Sequence, residues 1–233
     1  FRIFENDVEV DVQGSRNRVE ENRYSLEAAV DWNLSNRWTL SGSVGAEAYE
    51  IESREASRGL QTDPTALFSV TFRPRDRTTF KIESTRSVGQ LSFNQFLASS
   101  SLSSEILTAG ATELDPETSL RHSAVYDRRF GDRGVLRVTL ERREVDNPVR
   151  SVALSDELVV AQNTSEQIID SLNASLEFPF ERFGREDLVL ELNGMIADSE
   201  TIDPITGELR EVSNSMWRRS ALKRNSGMST GTK

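Results

Sequence analysis

The sequence predicts an all-β protein: an antiparallel, up-and-down transmembrane β-barrel, of which this chain forms a part with about ten strands. Segments of the chain alternate between apolar and polar residues with a period of two, which indicates strands with two different faces. Their connections are short at one end and long at the other, as in outer-membrane barrels with short periplasmic turns and long extracellular loops. The short connections are Ser35–Arg37, Pro74–Arg77, Gly131–Gly134 and Glu181–Glu186, and the long ones are Ile51–Pro64, Ser87–Pro116, Asn147–Thr164 and Asp198–Arg210.

The first half of the chain contains the clearest alternation. A short strand is predicted around Val8, Val10 and Val12. Four longer strands follow, in pairs joined by the first two tight turns. Their apolar positions are Leu26, Ala28, Val30, Trp32 and Leu34, then Trp38, Leu40, Gly42 and Val44, then Phe68, Val70 and Phe72, and finally Phe80 and Ile82.

The second half repeats this arrangement with four strands and a weak last one near 211–217. The apolar positions are Leu120, Ala124, Tyr126 and Phe130, then Leu136, Val138 and Leu140, then Leu172, Ala174, Leu176, Phe178 and Phe180, and finally Leu188, Leu190 and Leu192. We assign residues 1–217 to the barrel portion. Residues 218–233 are basic, rich in Ser and Gly and without alternation, which predicts an irregular or disordered tail.

Alternation alone does not separate a membrane barrel from a soluble β-sandwich, because the polar face could line a wet lumen or face bulk water. The aromatic residues favour the barrel. Eight of them lie within about four residues of a tight turn, where an interfacial girdle is expected, whereas a sandwich buries large rings in its shared core. These residues are Trp32, Trp38, Phe72, Phe80, Phe130, Phe178, Phe180 and Phe183. Tyr24 and Tyr49 fall where a second, sparser girdle is predicted.

The composition excludes several classes of protein. The 233 residues contain no cysteine, so neither a disulfide nor a thiolate metal site is possible. The net charge of -10 argues against a nucleic-acid partner. The mean hydropathy is -0.50, and no apolar stretch reaches the roughly 18 residues of a membrane helix. A barrel strand needs only every second residue to be apolar, so this value is compatible with the predicted fold.

The segment from Val88 to Val149 resembles the C-terminal half of the barrel of TonB-dependent outer-membrane receptors. Gly110 ends a long loop, and Leu114, Pro116 and Glu117 then form a Leu-x-Pro-Glu sequence before an aromatic-bearing hairpin. The hairpin comprises Tyr126 and Phe130, the turn Gly131–Gly134 and the returning strand Leu136–Leu140. The rest of the chain matches such receptors in architecture only.

This resemblance implies a place in the bacterial cell outer membrane and active uptake of a scarce nutrient, such as a metal chelate or a glycan. It implies contact with outer-membrane lipid, a small nutrient ligand, and the TonB system acting through a plug domain that is absent from this chain. The family has barrels of some 22 strands closed by an aromatic-terminated strand, so this chain is predicted to be a barrel fragment. The alternative is a soluble all-β module that binds a ligand such as a carbohydrate.

No catalytic residue, metal site or cofactor is predicted. His122 is the only histidine, and the sequence contains no nucleophile elbow or phosphate-binding loop. Loop acids (Glu105, Glu113, Asp115 and Glu117) do not have the spacing of an EF-hand calcium site. Asn163–Thr164–Ser165 matches the N-glycosylation pattern, which is frequent by chance. We therefore expect a transport protein rather than an enzyme.

The best candidate for ligand contact is the loop Ser87–Pro116. Loops of about thirty residues are usually functional or disordered. Phe93 and Phe96 in this loop are candidate ligand-binding residues that could anchor it in the barrel mouth. The alternative is that these rings only pack the loop against the barrel wall.

Overall fold

A computed structural model describes residues 3–5, 8–10, 19–53, 57–96, 99–101, 106–109, 114–153, 155, 158–180, 188–202, 209–211 and 215–224. Sixteen strands lie in these ranges: β1 Ile3–Glu5, β2 Val8–Val10, β3 Val19–Asn33, β4 Trp38–Ser53, β5 Ser57–Arg75, β6 Thr78–Val88, β7 Ser99–Ser101, β8 Ile106–Ala109, β9 Thr118–Phe130, β10 Gly134–Asp146, β11 Val149–Ala153, β12 Leu158–Asn163, β13 Gln167–Pro179, β14 Leu188–Ile202, β15 Leu209–Glu211 and β16 Ser215–Arg224. One 3-10 turn covers Phe93–Phe96. None of the helical structure in these ranges is long and apolar enough to cross a membrane.

One large antiparallel sheet dominates the fold. Its eight long strands follow the order β3-β4-β5-β6-β9-β10-β13-β14. Each long strand therefore pairs with the long strands that come before and after it in the chain. β15 and β16 both pair with β14 at the far edge. The predicted antiparallel, up-and-down barrel portion is therefore confirmed. Two smaller sheets accompany it: the hairpin β1-β2, and a four-stranded sheet in the order β11-β12-β8-β7.

The two faces of the large sheet differ as the alternation predicts. Even-numbered residues form an outer apolar face, and odd-numbered residues form an inner polar face. One row of directly opposed residues crosses the sheet on the outer face and is apolar throughout: Trp32, Leu40, Val70, Ile82, Ala124, Leu140, Leu172 and Ile196. No layer of the described chain covers this face, since Leu26 is 80% exposed and Ile82 is 64% exposed.

The strands are staggered in the way that closing a tilted barrel requires. Leu40, Ile82 and Leu140 lie in one row, yet they are the third, fifth and seventh residues of β4, β6 and β10. The row therefore moves away from the tight turns by one residue per strand. A shift of ~3.4 Å along the strand for each ~4.8 Å across the sheet gives a tilt of about 35°. Membrane barrels have tilts of about 35–45°.

Aromatic side chains form a row of two groups near the tight-turn end. The ring of Trp38 stacks on Phe72 with centroids 4.2 Å apart, and Phe72 lies 6.4 Å from Phe80. Phe80 then lies 5.0 Å from Tyr126 on the next strand. Further along, Phe130 lies 5.8 Å from Phe178, which meets Phe180 edge-on at 5.3 Å. This row is where the sequence predicts the girdle. Phe183 lies outside the described residues.

Strands of the large sheet continue into two of the four predicted long loops, which corrects the sequence-based boundaries. β4 continues to Ser53 and β5 begins at Ser57, so most of Ile51–Pro64 is a strand hairpin. β14 likewise continues to Ile202 and β15 begins at Leu209. Both of these segments are largely polar in sequence. Backbone pairing therefore continues there without the alternation that marks a strand in sequence.

The ends of the chain also depart from the expected boundaries. The early strand around Val8 and Val10 pairs with β1 and not with the large sheet, and Val12 lies outside the described residues. At the other end β16 runs to Arg224, past the boundary at residue 217. Residues 225–233 lie outside the described residues.

Candidate functional site: a loop cap over the inner face

The remaining two long connections fold together into one structure, here called the cap (residues 89–117 and 147–164). Strand β8 of the first loop pairs in parallel with β12 of the second, with Leu107 opposite Leu158 and Ala109 opposite Val160. β7 and β11 complete the small sheet on either side. A parallel pairing between two separate loops can form only after both loops have folded toward each other. The cap is therefore built from both loops jointly.

An apolar cluster holds the cap against the barrel wall. Tyr49 and Ile51 on the inner face of β4 contact cap residues (Val88 at its edge, and Leu91, Phe96, Leu114 and Ala161). Phe96 and Leu114 are each only 2% exposed. Since Tyr49 and Ile51 are odd-numbered positions of β4, the cap lies over the inner face of the sheet at its long-loop end.

Polar contacts fix the cap at both flanks. On one side, Nη2 of Arg23 in β3 donates to the backbone oxygen of Gly89 at 2.9 Å. On the other side, Arg150 in β11 donates to the side-chain oxygen of Gln167 in β13. Nε2 of Gln167 in turn donates to Oγ of Ser199 in β14 at 2.6 Å. The cap thus spans the inner face from β3 to β13, and Gln167 extends the contact to β14.

The inner face below the cap carries paired charges. Glu83 accepts from Lys81 at 2.5 Å and from Arg121 at 3.2 Å. Arg137 meets Asp127 at 2.7 Å. These side chains are between 15% and 58% exposed, so the pairs lie in a solvated environment and contribute little to stability individually. A wet, charge-paired inner face and an apolar outer face are typical of a large membrane barrel.

The acids considered for calcium do not converge on a site in the described part of the chain. Glu117 pairs with Arg143 at 3.2 Å, which neutralises it. Glu105 and Glu113 lie outside the described residues. No group of three or more His, Cys, Asp or Glu side chains suited to a metal is found within the described ranges. His122 lies on the outer face, opposite Ser84 and Arg142.

Phe96 is buried in the apolar cluster, and the side chain of Phe93 lies outside the described residues. Ligand contact by these two residues remains a prediction. Tyr49 corrects an expectation, because it faces inward and is 5% exposed instead of joining an outer girdle. The sequence contained the signal: counted from Leu40, position 49 has the parity of the inner face.

Tyr49 also makes a polar contact that gives it a pH dependence. Its hydroxyl donates to Oδ2 of Asp63 at 2.8 Å. Burial raises the pKa of Tyr49, and the hydrogen bond to the Asp63 carboxylate raises it further. An unfolded tyrosine ionises near pH 10. The folded state therefore gains stability from the neutral phenol below about pH 10, and this gain is lost progressively above it.

We predict that Tyr49→Phe destabilises the folded protein by about 1.5 kcal/mol at pH 8, because a hydrogen bond to a carboxylate is lost. The difference from the native protein should shrink above about pH 10, where only the native phenol can ionise. Urea unfolding in detergent at both pH values measures this. Tyr24→Phe is the control, since Tyr24 is 64% exposed on the outer face. A constant difference at both pH values would contradict the assignment.

Solved structures share this architecture. The chain superposes on the copper transporter OprC with a TM-score of 0.67 at 10% identity, covering 88% of this chain and 33% of that one. For the FrpB iron transporter from Neisseria meningitidis the TM-score is 0.57 at 8% identity, covering 82% and 28%. For the ferric-catecholate import receptor Fiu from K12 E. coli it is 0.54 at 13% identity, covering 80% and 29%.

These three proteins are TonB-dependent outer-membrane receptors. At such low identities the likeness establishes the fold: this chain has the fold of a section of the barrel wall of those receptors. It spans about a third of their length. The family resemblance predicted from Val88–Val149 is confirmed at that level. No protein-family model matches the chain, and no curated protein matches it in sequence.

Proposed function

We propose that this chain forms part of the wall and part of the extracellular cap of a bacterial outer-membrane receptor that actively takes up a scarce nutrient. The observation that carries the proposal is the bare apolar face of the large sheet. Soluble monomers rarely expose apolar patches beyond a few hundred Å², and here the row from Trp32 to Ile196 crosses eight strands. Lipid is the environment in which such a face is stable.

This face also argues against the alternative of a soluble ligand-binding module. A sandwich covers the apolar side of each sheet with a second sheet. In the described part of the chain the small sheet packs toward the inner face, and the outer face stays uncovered. The charges lie on the inner face, where they would line the lumen.

The structural neighbours support a metal chelate as the first ligand class to test, since those proteins are transporters of copper and iron and an import receptor for ferric catecholate. In this proposal the cap contacts the ligand at the mouth, and energy reaches the barrel from the TonB system through a plug domain. The charge pairs of the inner face would be the wall against which that domain packs. The ligand itself would be selected by cap and plug surfaces together.

The first test is sidedness. The three tight turns within the described residues lie at one end of the sheet and the cap at the other, and Glu181–Glu186 lies outside the described residues. A cysteine from Ser101→Cys should therefore react with a membrane-impermeant thiol reagent on intact cells. Asp132→Cys lies in the third tight turn and should stay protected until the outer membrane is breached. The native chain has no cysteine, so this region contributes no background. Labelling at position 132 with position 101 silent would invert the proposed topology.

The second test is uptake. Cells with and without the intact protein are given labelled ferric and cupric chelates, with the proton-motive force intact or collapsed. We expect protein-dependent accumulation of at least one chelate, and its loss when energy is removed. Accumulation that is unaffected by collapse of the proton-motive force would contradict energised transport.

A further inference from the structure

Asn163 joins three chain segments at the base of the cap. It is the last residue of β12. Its Oδ1 accepts from the backbone nitrogen of Asp115 at 2.8 Å, and its Nδ2 donates to the backbone oxygens of Asp115 and Asn147, each at 2.8 Å. Both amide donors and the acceptor are thus used. The side chain bonds to both backbone groups of Asp115, as a neighbouring strand would. It also joins the end of the second loop to its beginning at Asn147.

The neighbouring Thr164 provides a contrast, because its contacts remain within one loop. Its backbone nitrogen and its hydroxyl both donate to the backbone oxygen of Pro148, at 2.9 and 3.1 Å. Asn147 itself has a positive φ of 54°, which is uncommon for a residue other than glycine. The base of the second loop is therefore held by Thr164 locally, whereas Asn163 alone of these two also reaches the first loop.

We infer that Asn163 is a positioning residue that makes the two loops of the cap open and close as one body. The statement that this body contacts a ligand rests on the proposed function. The coupling itself rests on the three hydrogen bonds. Without them, the contacts between the loops in the described ranges are the short β8–β12 pairing and apolar contacts such as those in the cluster of Leu114 and Ala161. Ligand binding to one loop could then leave the other unchanged.

The same contacts give the Asn-Thr-Ser sequence a structural role. A glycan attached to Nδ2 would replace one of its two N–H donors, so only one of the bonds to Asp115 and Asn147 could remain. The hydrogen bonds from Asn163 to Asp115 give the asparagine a structural role that requires no glycan. They also account for the position of the Leu-x-Pro-Glu sequence, since Asp115 is its variable residue and Leu114 beside it is buried.

The test follows the opening of each loop separately. Leu91→Cys reports the first loop and Ala161→Cys the second, since these side chains are 6% and 9% exposed. Each reporter is labelled with a thiol reagent in isolated outer membranes that contain the intact protein. With Asn163 present, both reporters should be modified at one slow, common rate. Asn163→Ala should raise both rates, by roughly tenfold or more at position 161, because each net hydrogen bond is worth a factor of about five.

Three further variants separate coupling from simple loosening. Thr164→Ala removes one bond within one loop, so with Asn163 intact it should raise the rates at positions 161 and 91 together, by about fivefold. Asn163→Asp keeps the acceptor and loses both donors, so it should give intermediate labelling rates at both positions. It replaces the alanine variant in the test if that variant fails to assemble. Asn193→Ala is the matched control, because Asn193 is exposed on β14 outside the cap.

Unequal rates at the two reporters before any substitution would overturn the inference. So would an effect of Asn163→Ala or Asn163→Asp confined to position 161, or a rate that rises at only one reporter in Thr164→Ala. These rates do not depend on transport. Coupled opening in a protein that takes up no nutrient would therefore reject the proposed function and retain the inference.

Discussion

Replacing Val138 by arginine should destabilise the barrel in a bilayer by roughly 2–4 kcal/mol, the cost of a cation at mid-membrane depth on the lipid face. Val138 is on the outer face of β10, opposite Tyr126 and Ala174. It lies midway between Gly134 at the tight turn and Arg142, the first outer-face charge on that strand. The guanidinium at position 138 could reach water only by distorting the wall or the bilayer.

Thr139→Arg is the matched control on the same strand. Thr139 faces inward between Val125 and Asn173, where the charged pairs show that a solvated cation is tolerated. We expect a cost well below that of Val138→Arg. Both variants should be measured by reversible unfolding from lipid bilayers in the intact protein. Equal costs at the two positions would show that the faces are wrongly assigned.

Phe96→Ala should loosen the cap by about 3 kcal/mol or more, since removing a fully buried phenyl ring leaves a cavity. The ring is 2% exposed in the cluster with Tyr49 and Ile51. Protease sensitivity of the cap, measured against the unfolding of the whole barrel, reports this loss. Phe68→Ala is the control, because Phe68 is 55% exposed on the outer face and leaves no cavity within the protein.

Phe96→Leu separates packing from ligand contact at this position. Leucine restores most of the apolar volume, so the cap should regain most of its protease resistance. If the ring serves only to pack the loop onto the wall, uptake should recover together with the protease resistance. A closed cap with uptake still impaired would assign Phe96 a direct contact with the ligand.

The strands and their faces could be predicted because one apolar face imposes a pattern on the sequence. Along that face every second residue is apolar, as in Leu136, Val138 and Leu140, and turn chemistry marks the ends, as in Gly131–Gly134. The rings of Trp38, Phe72 and Phe80 follow the same logic at the interface. These features depend on local sequence, and all of them are present in the structure.

The cap could not be predicted, since its contacts are distant in sequence and lack periodicity. The pairing of β8 with β12 joins residues about fifty positions apart. Asn163 matches a glycosylation pattern, and only the fold brings it to Asp115. Strand continuation through Gln61 and Thr62 has no signal in the sequence, because both faces are largely polar there. The parity of Tyr49 indicates the inner face, whereas its proximity to a loop favours the girdle, and the structure follows the parity.

The claim that this sheet is a lipid-facing barrel wall is tested most directly by scanning β10 with nitroxide labels. Single cysteines are placed at each position from 136 to 141 of the intact protein in bilayers, and each label is exposed to oxygen in the lipid and to a water-soluble relaxation agent. We predict lipid accessibility at 136, 138 and 140 and water accessibility at 137, 139 and 141. Access to water at all six positions, or a profile without a period of two, would contradict the account.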